Sequence, residues 1–190
     1  SAQLKSAVIL AALNSYGDTQ IFEQNKSRDH TENLLKENKQ TIRIEDGGKK
    51  IITIRGKKYL NPLNVNIPGD ISSSAFFAAL TLLNQNSKIQ IKNVGLNPTR
   101  TGFYELLKKK NAKIKFLNVK KLNNELRGDI QVESSKIKQL SASSIYYVNS
   151  TDEYPILFVI AALTKGTSSF YGIADLKNKE SNRIKEMQKV

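Results

Sequence analysis

The sequence predicts an α/β (α+β) fold that is built from repeated βαβαββ units. One apolar helix pattern, which contains Ala-Ala-Leu each time, occurs at 1–13, 72–83 and 150–163. An alternating strand pattern follows each of these helices, at 19–23, 87–92 and 167–172. Self-similarity of this kind indicates that one supersecondary unit recurs along the chain and packs against its own copies.

The remaining elements follow in the same order in the first two copies. A second helix with a polar start is predicted after each strand, beginning near Ser27, Asn97 and Asn178. Strand pairs then complete the unit, at 41–45 with 50–55 and at 113–116 with 128–132. One further strand is expected before each unit. The Ala-Ala-Leu helices are apolar nearly all round, so we expect them to be buried together inside a domain.

Composition and charge limit the classes of protein to consider. Of the 190 residues, 39% are hydrophobic and 25% are charged, as in an ordinary globular protein. The formal charge of +13 would suit a nucleic-acid partner, but arginine supplies only six of the 30 basic residues. We therefore expect no nucleic-acid partner. We expect most of the positive charge to lie on a lysine-rich, solvated surface. Part of it is expected to line a cleft that attracts anionic substrates.

Other classes are excluded by what the sequence lacks. No apolar run approaches the ~20 residues of a membrane-spanning helix. No signal-peptide pattern opens the chain, so the expected location is the cytoplasm. Cysteine is absent, which excludes disulfides and thiolate chemistry. His30 has no second histidine with which to form a metal-binding pair, and no metal site is predicted.

Polar residues at the helix starts are the first candidates for a binding site. A helix N-terminus presents free N–H groups and a partial positive charge, which favour phosphate or carboxylate. The candidate anion sites are Ser1-Ala2-Gln3 and Ser72-Ser73-Ser74. Ordinary N-capping by serine explains the same pattern. The recurrence of the pattern, with Arg28 near another helix start, favours anion binding.

Charged residues near the last two predicted helix starts are candidates for acid–base chemistry. Lys179 and Arg183 are four residues apart and are expected to share one helix face, with the Glu180 carboxylate beside them. Asp152 stands in the first turn of its predicted helix. The same residues would also fit charged surface helices whose acids compensate the helix dipole. The residues alone leave both interpretations open.

Six motifs in a fixed order carry a family resemblance over essentially the whole chain. They are Ser-Ala-Gln-x-Lys-Ser-Ala at 1–7, Ser-Arg-Asp-His-Thr-Glu at 27–32, Pro-Gly-Asp-Ile-Ser-Ser at 68–73, Asn-Pro-Thr-Arg-Thr-Gly at 97–102, Asp-Glu-x-Pro at 152–155 and Lys-Glu-Ser-x-Arg at 179–183. In this order they resemble the enolpyruvyl transferases that make 5-enolpyruvylshikimate-3-phosphate. Lys177, Asn178 and Asn182 depart from the Arg, Val and Asp that are usual in the family.

The resemblance implies an architecture. The family uses two domains of three βαβαββ units each, which close on substrates between them. By this likeness, residues 1–66 form the last unit of the first domain. Residues 67–190 belong to the second domain, and their third unit is incomplete. The chain is thus expected to be an internal piece, truncated at both ends and without turnover alone, of an enzyme that is a monomer at full length.

The resemblance also implies site residues and a reaction. The catalytic positions are matched by Asp152, Glu180 and Lys179. The positions that bind shikimate 3-phosphate are matched by Ser1, Ala2, Arg28 and Lys179, and those that bind phosphoenolpyruvate by Gln3 and Arg183. The implied reaction transfers the enolpyruvyl group of phosphoenolpyruvate to the 5-hydroxyl of shikimate 3-phosphate, with release of phosphate, in the shikimate pathway of aromatic amino-acid biosynthesis. These two small molecules are the expected partners, and no metal or organic cofactor is implied.

Three other interpretations stay open, and one of them is a stand-alone fragment without catalytic activity. The RNA 3′-phosphate cyclases have similar repeated units, but their nucleotide-binding histidine motif is absent here. A basic RNA-binding module without catalysis predicts arginine and aromatic side chains spread along an exposed sheet. Aromatic residues are 7% of this chain and fall mainly in apolar helices, as at Phe76, Phe77 and Phe158.

Overall fold

Helices and strands are mixed along the chain in this computed structural model, which describes residues Ser1–Val190. This mixture confirms the predicted mixed α/β class. The chain divides into two compact units. The first comprises Ser1–Ile67 with Lys121–Glu125, and the second comprises Pro68–Lys120 with Leu126–Val190. No helix combines the length and the apolar character that a membrane span requires.

The first unit has the predicted order of helix, strand, helix, strand, strand. Its elements are α1 (Ala2–Asn14), β1 (Asp18–Glu23), α2 (His30–Leu35), β2 (Ile42–Gly47) and β3 (Lys49–Arg55). The strands form an antiparallel sheet in the order β1-β3-β2. Alternate residues of the central strand, Ile52 and Ile54, pack in the core with Ile9 and Ala12 of α1.

The second unit begins with the same order of elements. They are α3 (Ile71–Leu83), β4 (Lys88–Gly95), α4 (Gly102–Lys109), β5 (Lys113–Leu122) and β6 (Glu125–Glu133). The sheet order β4-β6-β5 is equivalent to that of the first unit, so the first two repeats share one topology. A parallel bridge between Gly69 and Val94 lies where a further strand is expected before the repeat.

The third repeat differs from the prediction at its apolar helix. The single helix predicted at 150–163 is divided into α5 (Ser144–Ser150) and α6 (Tyr154–Ala162) by a 3₁₀ turn at Thr151–Glu153. Pro155 stands in the first turn of α6. A proline fits there because its ring presets a helical φ and its missing N–H would have had no helical partner. The sequence pattern therefore located the apolar helix but not its start.

The remaining elements of the third repeat are short. Two-residue strands, β7 (Ser141–Ala142) and β8 (Ser169–Phe170), pair in parallel, which places a strand before the helices as expected. A second 3₁₀ turn covers Ala174–Asn178. The last helix, α7 (Arg183–Met187), begins at Arg183 rather than near Asn178.

Within this chain, the Ala-Ala-Leu helix α3 is buried along one face. Ala75, Ala78 and Ala79 of α3 are buried against the core of the second unit. The side chains on the opposite face are more than half exposed, at Phe76, Phe77 and Leu80. A three-stranded sheet covers one side of a helix, so the other side needs a second neighbour to be buried.

Candidate functional site

The start of α3 is capped by a carboxylate of the protein itself. Asp70 accepts hydrogen bonds from the N–H and the hydroxyl of Ser73, at 2.8 and 2.9 Å. Burial opposes ionisation of Asp70, but these hydrogen bonds and the charge of Arg100 outweigh it and lower the pKa of this carboxyl. The anion site considered at Ser72-Ser73-Ser74 is therefore filled by a side chain, and N-capping explains this helix start.

The start of α1 has no comparable cap. Ser1 is the N-cap residue, but its side chain makes no capping hydrogen bond. The first helical hydrogen bond runs from the N–H of Lys5 to the carbonyl of Ser1, at 3.1 Å. The N–H groups of Ala2 and Gln3 therefore have no acceptor within the helix. Gln3 is exposed and Ala2 is half-buried.

A buried ion network holds α1 against its own sheet. The ammonium of Lys5 lies 2.9 Å from Glu23 and 2.7 Å from Glu32. Lys50 lies 3.0 Å from Glu32 and 3.5 Å from Glu23, and all four side chains are at most 11% exposed. Arg28 is half-buried between β1 and α2. The network therefore fixes α1, which follows Ser1, against β1 and α2, which precede and follow Arg28 in the sequence.

The charges of this network are maintained by its own contacts. Burial favours the neutral form of Glu23. The hydrogen bonds from Lys5 and Ser27 and the charges of Lys5 and Lys50 outweigh that effect, so the pKa of Glu23 is lowered. Burial likewise disfavours the charge of Lys50, but its hydrogen bond to Glu32 and the nearby carboxylates raise the pKa of Lys50. Both groups are therefore ionised near neutral pH.

In the second unit, Arg183 brings together two of the predicted catalytic residues. One guanidinium nitrogen of Arg183 donates to Asp152 Oδ1 at 3.5 Å, and the other donates to Glu180 Oε2 at 2.7 Å. Burial opposes the charge of Arg183, but the two carboxylates outweigh it and raise the pKa of the guanidinium. Asp152 lies in the 3₁₀ turn before α6, and its side chain is 37% exposed. Its carboxylate is thus both held and accessible.

Lys179 does not share a helix face with Arg183, so that prediction is wrong. Its backbone is extended after the 3₁₀ turn, and α7 begins as a new helix because Asn182 caps it through the N–H of Lys185, at 3.0 Å. The ammonium of Lys179 lies 2.6 Å from Asp175 Oδ2. The same oxygen accepts a hydrogen bond from the hydroxyl of Tyr147 at 2.9 Å.

Arg100 contacts Asp152, and the sequence had not assigned it a role. One nitrogen of its guanidinium, Nη2, lies 3.9 Å from Asp152 Oδ2 and 3.8 Å from Glu153 Oε1. The same nitrogen donates to the hydroxyl of Ser72 at 2.5 Å, and that hydroxyl donates to Glu153. Burial raises the pKa of Glu153 despite the hydrogen bond from Ser72 and the charge of Arg100. The only sequence signal was the position of Arg100 inside the Asn-Pro-Thr-Arg-Thr-Gly motif.

The cluster around Asp152 combines a proton acceptor with anion-binding groups. An exposed carboxylate held between two guanidinium groups can accept a proton from a hydroxyl placed against it. Arginine side chains bind phosphate and carboxylate through paired hydrogen bonds. No group of three or more His, Asp or Glu side chains in Ser1–Val190 is placed to hold a metal ion.

Comparison with known proteins identifies the family. The family model for EPSP synthase (3-phosphoshikimate 1-carboxyvinyltransferase) matches residues 1–189. The 3-phosphoshikimate 1-carboxyvinyltransferase of Zymomonas mobilis subsp. mobilis is 40% identical over 188 residues, which are 98% of this chain and 42% of that protein. The same enzyme of Petrotoga mobilis is 44% identical over 186 residues, which are 97% of this chain and 42% of that protein.

A solved structure shows the same fold. EPSP synthase from Acinetobacter baumannii matches 100% of this chain and 42% of its own chain, with a TM-score of 0.87 and 35% sequence identity. The chain thus spans about 42% of the length of the relatives that it matches. These matches confirm the resemblance carried by the six motifs, and the chain belongs to the EPSP synthase family.

Proposed function

We propose that the protein that carries this chain transfers the enolpyruvyl group of phosphoenolpyruvate to the 5-hydroxyl of shikimate 3-phosphate and releases phosphate. The observation that carries the proposal is the cluster in which Arg183 joins Asp152 and Glu180. This cluster is built from two of the motifs that match the family. Both substrates carry phosphate and carboxylate groups, which suit the arginines of the cluster.

The second unit supplies the groups that move protons in this proposal. Asp152 accepts the proton of the 5-hydroxyl as its oxygen bonds to C2 of phosphoenolpyruvate, while C3 gains a proton. Lys179 and Glu180 are assigned to proton transfer at this step, with Lys179 also binding shikimate 3-phosphate. Arg183 binds phosphoenolpyruvate. Loss of a proton from C3 and release of phosphate from C2 of the tetrahedral intermediate then re-form the double bond and complete the reaction, and general acid–base catalysis of such steps is worth ~10²–10⁴ in rate.

The first unit supplies binding groups. Ser1, Ala2 and Arg28 are assigned to shikimate 3-phosphate, and Gln3 to phosphoenolpyruvate. The free N–H groups at the start of α1 support this assignment, since they offer hydrogen bonds and a partial positive charge to an anion. We assign residues 1–66 to the last repeat of one domain and residues 67–190 to the other domain of a monomeric enzyme.

The anionic partners in this proposal are two small molecules and not a nucleic acid. Some lysines of the second unit are paired on the surface with carboxylates. Lys88 lies 2.9 Å from Glu133, and Lys108 lies 3.5 Å from Glu105. A surface that binds single-stranded RNA would have arginine and aromatic side chains along an exposed sheet. Strands β5 and β6 do not have this pattern.

The reaction itself tests the proposal. The protein, produced at the full length of its relatives, is incubated with shikimate 3-phosphate and phosphoenolpyruvate and followed by ³¹P NMR. We expect the phosphoenolpyruvate signal to be replaced by inorganic phosphate while the second substrate keeps its phosphate in a new product. Shikimate without its phosphate is the control and should react far more slowly. Phosphate release that is equally fast with shikimate, or no release at all, would contradict the proposed function.

A further inference from the structure

We propose that Arg100 is a positioning residue for the carboxylate of Asp152, and that Ser72 and Asp70 hold Arg100 in place. The inference rests on the proposed function, in which Asp152 accepts the proton of the substrate hydroxyl. The inference adds Arg100 to that site. The sequence motif that contains Arg100 had assigned it no role in the reaction.

Three separate segments of the second unit meet at the guanidinium of Arg100. Arg100 stands between β4 and α4, and its side chain is only 14% exposed. Asp70, at the start of α3, lies 3.7 Å from its Nη2 atom, and Ser72 accepts a hydrogen bond from that atom at 2.5 Å. Asp152, in the turn before α6, lies 3.9 Å from it. The guanidinium therefore fixes the turn relative to the start of α3.

The two oxygens of Asp152 face different arginines. Arg183 contacts Oδ1 at 3.5 Å, and Arg100 lies 3.9 Å from Oδ2. Glu153 follows in the same turn and is almost fully buried, with Oε1 3.8 Å from Arg100. Glu180, which is held by Arg183, adds another negative charge near Asp152. Arg100 therefore supplies a positive charge on the Oδ2 side of Asp152 and beside the carboxyl group of Glu153.

The cluster is not arranged for stability alone. Nε of Arg100 and Oε2 of Glu153 are buried and have no hydrogen-bond partner. The hydroxyl of Tyr154 is also buried without a partner. Buried ions with unmet hydrogen bonds are costly, and perturbed ionisable groups of this kind are concentrated at functional sites. A positioning role explains why a guanidinium is placed here.

The test compares Arg100→Gln and Arg100→Lys in the full-length enzyme with shikimate 3-phosphate and phosphoenolpyruvate. We expect Arg100→Gln to lower kcat by about 10-fold or more, but by less than the ~10²–10⁴ expected for loss of Asp152 itself, while both KM values change little. The acidic limb of the kcat–pH profile should move to higher pH, because a positive charge near a carboxylate is lost. Arg100→Lys keeps the charge and should restore the profile and part of kcat.

Two further variants keep the test decisive. Lys88→Gln removes the same charge from a surface ion pair of the same unit, where Lys88 is 64% exposed, and should leave kcat and its pH profile unchanged. If Arg100→Gln does not fold, as judged by circular dichroism, Ser72→Ala removes the hydroxyl that holds Arg100 and should give a smaller fall in kcat. Wild-type enzyme without turnover would overturn the proposed function. This inference alone would be overturned if the wild type is active and Arg100→Gln has the same kcat and pH profile. Where Ser72→Ala replaces Arg100→Gln, the same result in Ser72→Ala would overturn it.

Discussion

Lys5 shows how one charged residue can hold an otherwise apolar helix in place. Its side chain is 6% exposed and lies between two carboxylates, Glu23 and Glu32, with Lys50 completing the network. A buried ion loses several kcal/mol of hydration, and only close partners of opposite charge offset that loss. Removal of one member leaves the others buried without compensation. The network should therefore respond to a single substitution far more strongly than a surface ion pair does.

We expect Lys5→Met to lower the free energy of unfolding by about 3–5 kcal/mol near neutral pH, as when one partner of a buried ion pair is removed. Chemical denaturation followed by circular dichroism measures the change. Lys26→Met is the matched control, because Lys26 forms an exposed pair with Asp46 at 3.4 Å and is 74% exposed. Such pairs contribute ~0–1 kcal/mol. Equal effects of the two substitutions would contradict the role given to the network.

The same network predicts a pH dependence of this difference. The pKa of Glu23 is lowered from its ordinary value of 4.5, so its stabilising contribution is present above that value and is lost as the pH falls through the lowered pKa. The pKa of Lys50 is raised above 10.5, so its contribution is present below that value and is lost as the pH rises further. Wild type and Lys5→Met should therefore converge in stability below pH 4.5.

At the scale of residues, the sequence predicted which side chains lie near one another better than it predicted their individual contacts. The ordered motifs selected Asp152, Glu180 and Arg183, and the structure brings these three together. Spacing placed Lys179 on a helix face with Arg183, which is wrong because Asn182 starts a new helix between them. Arg100 had no assigned role, since its contacts depend on segments distant in sequence.

At the scale of elements, the close approach of β3 to the end of α1 depends on Gly56. This residue follows β3 directly, and its N–H donates to the carbonyl of Gly17 at 3.0 Å. A Cβ atom at Gly56 would overlap the carbonyl oxygens of Ala12 and Ser15. Both of these are backbone atoms, which cannot move aside without shifting the helix end. Only glycine therefore fits at this contact.

Overpacking usually costs ~1–3 kcal/mol. We expect Gly56→Ala to lower the free energy of unfolding by an amount at the top of this range or above it. Gly47→Ala is the matched control at the end of β2, where an added Cβ meets nothing within 4 Å. It should be neutral or slightly stabilising, because alanine reduces the entropy of the unfolded chain. Thermal unfolding of the two variants in parallel decides the matter, and a stable Gly56→Ala protein would refute the packing argument.

Element order was more predictable than element boundaries. The pattern of helix, strand, helix, strand, strand is observed in the first two repeats because apolar periodicity follows local structure. The break between α5 and α6 was not predicted, since the apolar run continued through it. It depends on Pro155 and on the contacts of Glu153 with Ser72 and Arg100, which only tertiary structure reveals.

At the scale of the whole molecule, the residues assigned to substrate binding and catalysis in the proposed function are found in both units. The first unit holds Ser1, Ala2, Gln3 and Arg28, and the second holds Asp152, Lys179, Glu180 and Arg183. Family membership rests on a match over residues 1–189, whereas the chain spans about 42% of its relatives. Activity is therefore to be measured on a protein of the relatives' length.

Steady-state kinetics of Asp152→Ala in that full-length enzyme test the central claim most directly. We expect kcat to fall by ~10²–10⁴ with little change in KM, because the group that accepts the hydroxyl proton is lost. Arg183→Ala, measured beside it, should mainly raise KM for phosphoenolpyruvate, since a guanidinium–anion contact is lost. Turnover of Asp152→Ala close to that of wild type would contradict the account.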